Sequence, residues 1–211
     1  MTTKTFTMPR TPSRKQQARR LAHRRRRHKV WRTRALIVVG LAALGAMFWA
    51  LGRDGGGSGT IATGEPAPAF SLATTDGRTI SLASLQGRNV LLYFNEGVGC
   101  DSCFSQLVEI EKSQARLDEL GVTLLPFMPN PAPEVRRELA RFGLRTPALI
   151  DSSLAVARAF DTLGRGHHAN LPGHSFILVD QAGTIRWRGD YPSMYVATAE
   201  LLETIGSRLE G

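Results

Sequence analysis

Cysteine is almost absent from this chain: there are two among 211 residues, Cys100 and Cys103. That excludes a structural zinc site, which needs four ligands where a single Cys-x-x-Cys pair supplies two. Acidic residues are missing altogether from residues 1–34, which hold thirteen of the 27 Lys and Arg. The other 14 face 18 Asp and Glu, so residues 35–211 carry a net −4 although the whole chain stands at +9. The basicity belongs to a tail. Internal repeats are lacking too, and biased composition is confined to that tail and one glycine-rich stretch.

Long uncharged apolar runs are scarce as well, which makes 35-ALIVVGLAALGAMFWALG-52 conspicuous between Arg34 and Arg53. As a helix, these residues would span about 27 Å, close to the ~30 Å hydrocarbon layer of a bilayer. Trp31 and Trp49 lie near its ends, where indole rings favour the interface. The basic flank predicts a cytoplasmic N-terminus and an extracytoplasmic C-terminal part, hence a single-pass cell-membrane protein. A signal peptide has a shorter apolar core, and 43-ALGAMFWALG-52 offers no convincing small-x-small site, so an uncleaved anchor is expected. A twin-arginine signal fits poorly, since His, Lys and further Arg separate the pairs from the apolar core. The basic run lacks a nucleic-acid motif and interleaved aromatics, so its expected contact is anionic lipid, not nucleic acid. The organisation read from this is a basic tail over 1–34, an anchor over 35–52, a flexible linker over 53–63 and a folded domain over 64–211.

Within that domain, 70-FSL-72 and 79-TISL-82 flank an Asp-Gly turn and predict a hairpin. The runs 89-NVLLYFN-95 and 122-VTLLPFM-128 are continuously apolar, as buried central strands are. Between them, residues 103–120 predict one helix, with Phe104, Leu107, Val108, Leu117 and Leu120 on one face. A helix over 134–143 has Pro133 at its entry and Gly143 at its exit. A short strand and helix over 147–164 follow, then a loop with three histidines. Strands 175–180 and 184–189 and a helix near 196–209 close the chain. The order is a hairpin, βαβα, a linking helix, then ββα. This predicts an α/β domain with a central mixed sheet flanked by helices, its first block parallel and its last hairpin antiparallel.

The cysteines stand between a buried strand and the start of a helix. A plain structural bridge is the bland reading, and it would be a poor staple, since closing a two-residue loop removes little unfolded-state entropy. Free N–H groups at a helix start stabilise a thiolate, so redox chemistry is favoured. Cys100, nearer the helix start and solvent, is expected to attack, and Cys103, one turn inside, to resolve the mixed disulfide. The charge of Asp101 opposes ionisation of Cys100. For His167 and His168 a solvated loop is the expected setting.

The segments 64-GEPAPAFSL-72, 76-DGRTISLASLQGRNVLLYF-94, the Cys-x-x-Cys, 149-LIDSSLAVARAF-160 and 177-ILVDQAGTIRWRGDY-191 carry a wider likeness. They resemble the redoxin group of the thioredoxin superfamily, which includes membrane-tethered TlpA- and ResA-like thiol–disulfide oxidoreductases and AhpC/TSA peroxiredoxins. The Glu-Gly-x-x-Cys-x-x-Cys site from Glu96 and the stretch Gly173 to Val179 look like those of actinobacterial-type anchored redoxins. The resemblance implies a thioredoxin-like fold, catalysis by Cys100 and Cys103, no cofactor, and exported protein thiols or disulfides as partners. It also places His174 where such proteins carry a cis-proline, with Pro172 two residues earlier, so either residue is a candidate to face the sulfurs. A charged His174 would then stabilise the Cys100 thiolate.

Two alternatives accompany it. A peroxiredoxin uses Pro-x-x-x-Thr/Ser-x-x-Cys and a distant Arg; aligned on Cys103, these positions hold Glu96, Cys100 and His174. A tethered Cu(I) metallochaperone of oxidase assembly would use Cys100, Cys103 and His174, although its cysteine and histidine spacings differ from these.

Overall fold

The computed structural model describes residues 61–210; the basic tail, the 35–52 segment and the linker up to residue 60 lie outside the described residues. Among the described residues no helix is long and apolar enough to cross a membrane.

Strands β1 (Ser71–Ala73) and β2 (Thr79–Ser81) pair antiparallel as a separate two-stranded sheet. The central sheet contains β3 (Asn89–Phe94), β4 (Val122–Met128), β5 (Leu149–Ile150), β6 (Ser175–Val179) and β7 (Ile185–Asp190). Its order is β5-β4-β3-β6-β7, with β3, β4 and β5 parallel and β6 and β7 antiparallel to their neighbours. This is the mixed sheet expected of a thioredoxin-like α/β domain. The hairpin is tied to it by a bridge from Thr74 to Leu149.

β3 is apolar without alternation because both of its faces are covered. Leu91 and Tyr93 join the core formed with Phe104, Leu107, Leu201 and Ile205, whereas Val90, Leu92 and Phe94 meet Phe70, Leu149 and Phe160 on the other side. The first core lies under helices α1 (Asp101–Lys112), α2 (Gln114–Glu119) and α5 (Thr198–Glu210). Helices α3 (Ala132–Arg141) and α4 (Ala155–Ala159) complete the fold.

The single helix expected over 103–120 is broken in two. The hydroxyl of Ser113 donates to the carbonyl of Glu109 at 3.1 Å, while its N–H turns to Ile110 at 2.9 Å. A side chain that takes the carbonyl four residues back competes with the backbone for it, and here α1 ends.

Candidate active site

The site forms where the C-terminal end of β3 meets the N-terminal end of β6. In the antiparallel register Phe94 faces Ser175, which brings the residues after β3 beside those before β6. The chain from Asn95 to Cys100 is a sequence of tight, internally bonded turns. The Asn95 side chain accepts from the N–H of Gly97 at 2.9 Å, and the Asn130 side chain accepts from the N–H of Val98 at 2.8 Å. Gly97 has φ +79°, and a Cβ there would fall 2.1 Å from Oδ1 of Asn130. Only glycine fits that turn.

The turn delivers Cys100 as the N-cap of α1, its sulfur accepting from the N–H of Cys103 at 3.3 Å. Cys100 and Cys103 are joined in a disulfide. Cys103 is fully buried and Cys100 half-exposed, so an incoming sulfur meets Cys100 first. Asp101, expected to oppose a thiolate, is itself paired: Arg141 reaches it from the end of α3 and also holds Glu138 at 2.7 Å.

His174 is completely buried. Its Nδ1 lies 3.0 Å from the hydroxyl of Tyr93, and that hydroxyl also lies 3.3 Å from the carbonyl oxygen of Cys103. Pro172 instead pairs with Leu163, and no cis peptide occurs among the described residues. His174 is therefore the residue connected to the cysteine pair. Burial pushes its pKa down to about 4, against a partial upward pull from the charge of Glu96. It is neutral at pH 7. With the two cysteines joined as a disulfide, an imidazolium in this site would lose its water without gaining a close anion. Burial also raises the Tyr93 hydroxyl well above its usual range, so it remains a hydrogen-bond donor.

The histidine loop is closed at its neck. Gly173 donates to Thr162 at 2.7 Å, Gly164 donates to Leu171 at 2.9 Å, and Leu163 bridges Pro172. His167 is exposed as expected. His168 is not simply solvated: both its backbone N–H (2.9 Å) and its Nδ1 (2.7 Å) meet the carboxylate of Glu96, which is 5% exposed.

Tyr93, Glu96 and Arg141 are the neighbours that residue patterns did not reveal as such. A tyrosine hydroxyl inside an apolar strand and an acid two residues after the strand's end were the available signals, because a buried polar atom needs a partner. Among the described residues no group of three or more His, Cys, Asp or Glu is placed to hold a metal ion.

Residues 63–188 match the AhpC/TSA family. The chain belongs to that family. Two curated proteins are similar to the chain over most of their length. The thiol-disulfide oxidoreductase ResA of Halalkalibacterium halodurans is 30% identical over 161 residues, covering 76% of this chain and 85% of the relative. Peroxiredoxin Bcp of Bacillus subtilis is 25% identical over 152 residues, 69% of this chain and 96% of the relative. The crystal structure of Enterococcus faecalis AhpC superposes with a TM-score of 0.64 at 16% identity, over 72% of this chain and 94% of that one, a likeness of fold. The domain is thus a thioredoxin-like redoxin with a Cys100–Cys103 pair, and thiol redox chemistry is its common ground with both relatives.

Proposed function

We propose that this redoxin is a membrane-tethered, extracytoplasmic thiol–disulfide oxidoreductase acting on protein thiols or disulfides. The observation that carries the reaction is the unequal burial of the two cysteines at the start of α1. Reduced Cys100 attacks a partner disulfide as the thiolate: a Cys100–partner S–S bond forms and the first partner thiolate leaves. Cys103 then attacks Cys100, the mixed disulfide breaks, and the second partner thiol departs. Two electrons have passed to the partner, and the protein holds the Cys100–Cys103 disulfide. A dithiol donor reverses these steps. The similarity to ResA supports this reading.

A peroxidase is the second reading, favoured by the similarity to Bcp. It ranks lower on physical grounds. The positions aligned with the peroxidase Pro and Arg hold Glu96, whose carboxylate is occupied by His168, and His174, which is neutral. Neither supplies the fixed positive charge that would activate a peroxide.

The tether rests on the 35–52 run and its basic N-terminal flank. The test is a Cys103→Ser variant of the full chain produced in its native host. Expected is a mixed disulfide on Cys100 with an exported protein, recovered in the membrane pellet and released by reductant. Peroxide consumption with dithiothreitol in place of any trapped partner favours the peroxidase. Recovery of the full chain with soluble material overturns the anchor.

A further inference from the structure

Asp101 stands between the two cysteines in the first turn of α1, and its charge opposes a thiolate on the residue before it. Arg141 answers that charge from another helix. It lies in the last turn of α3, and its guanidinium bonds to the Asp101 carboxylate and, at 2.7 Å, to Glu138 a turn earlier. The same guanidinium stands 4.3 Å over the ring of Phe142. That ring stacks at 5.2 Å on buried Phe104, the residue after Cys103. Three partners thus aim the cation at the turn that carries the sulfurs. Holding α1 in place does not require it. Phe104, Leu107 and Ile110 bury the helix, and near its other end Glu111 accepts from the N–H groups of Arg145 and Thr146, each at 3.0 Å. The remaining titratable groups around the pair have partners of their own: Glu96 is bonded to His168, and His174 is buried against Tyr93.

We propose that Arg141 is a positioning residue whose charge offsets that of Asp101, so that Cys100 is held ready as the attacking thiolate. This rests on the thiol–disulfide reading, in which Cys100 attacks first. The side chains of Arg141 and Asp101 are 51% and 71% exposed, so their bond adds little to stability and salt screens it. What the pair changes is the charge beside one sulfur. A thiolate next to an unmatched carboxylate forms less readily, and one next to an unmatched guanidinium more readily.

The test uses the full-length reduced chain and reads the pH midpoint of Cys100 alkylation by iodoacetamide, with the labelled residue identified by mass spectrometry. Arg141→Gln is expected to raise the midpoint by about half a pH unit, which below the midpoint is an about threefold smaller thiolate fraction. Asp101→Asn is expected to lower it by a similar amount, and the double variant to return near wild type. Arg141→Lys keeps the charge and is expected to keep the midpoint. In about 1 M salt the single variants are expected to converge on wild type. A merely structural tie would behave differently. Both single variants break the same contact, so both would move the midpoint the same way and the double would match either. That pattern overturns the proposal, as do unmoved midpoints in both single variants. Insulin reduction is followed alongside, at limiting insulin. Arg141→Gln is expected to slow it about twofold, less than the loss of thiolate, because a more basic thiolate is the better nucleophile. An unchanged rate overturns the link from this charge to attack. A wild-type chain that never reduces insulin overturns the thiol–disulfide reading, while the midpoints still decide the charge compensation.

Discussion

Tyr93 and His174 share a hydrogen bond inside the core, Oη to Nδ1 at 3.0 Å, although 81 positions separate them in the chain. The same hydroxyl reaches the carbonyl of Cys103 at 3.3 Å, so one oxygen on the central strand links His174 to the backbone of Cys103. Tyr93→Phe keeps the ring stacked on Phe176, whose centroid is 4.4 Å away, and removes only that oxygen. Two buried groups then lose a partner. The expected cost is about 1–3 kcal/mol in urea unfolding, read as a lower midpoint at unchanged slope. An unaltered midpoint would mean that the hydroxyl contributes nothing.

His174 gives stability an acid dependence whose sign is fixed by its lowered pKa. Between the ordinary value of 6.5 and about 4, the unfolded chain binds a proton at this residue and the folded chain does not. Stability therefore falls as pH drops through that window, by about 3 kcal/mol in total, and is fully present above it. Carboxylates held below their usual range, Asp76 at about 2 and Glu111, lose their contributions toward lower pH in any variant. The measurement is the difference between wild type and His174→Gln in urea midpoints from pH 7 to 4. Converging curves are expected; parallel ones contradict the neutral buried histidine.

Gly97 and Gly99 both have positive φ, at +79° and +99°, but the space around them differs. An alanine at 97 would strike Oδ1 of Asn130 and approach Cδ of Pro129 to 2.8 Å, displacing the acceptor of the Val98 N–H. An alanine at 99 meets open space. Gly99→Ala is expected to cost about 1 kcal/mol, the backbone strain alone, and Gly97→Ala about 3 kcal/mol with slowed reaction of Cys100. Equal costs by denaturation would deny the role of Asn130.

The strands were legible because their signals are local. The unbroken apolar run 89–95 forms the doubly covered β3, and the Asp-Gly turn joins β1 to β2. The cysteine pair was legible through position, a strand end and a helix start, whereas His174 was singled out only by the family resemblance, with Pro172 beside it. The break at Ser113 was not, because a single hydroxyl competing for a carbonyl leaves no trace in hydrophobic periodicity. Nor were the partners of Asp101 and Glu96. Arg141 is 40 positions and His168 is 72 positions away, and only the folded sheet brings them together. Residue types announce that buried polar groups need partners; tertiary structure chooses which.

The neck of the histidine loop separates two kinds of change. Its rungs, Thr162 to Gly173 and Gly164 to Leu171, close before residue 165 and reopen only after residue 170. Between them Arg165 is paired with Asp161 and Asp190, Gly166 runs against Gly173, and His168 meets Glu96, so the tip is held along its inner side. His167, Ala169 and Asn170 are exposed, so changes confined to these side chains leave His174 and the disulfide where they are. The outward side chains of the tip can therefore vary while the geometry around the sulfurs stays constant.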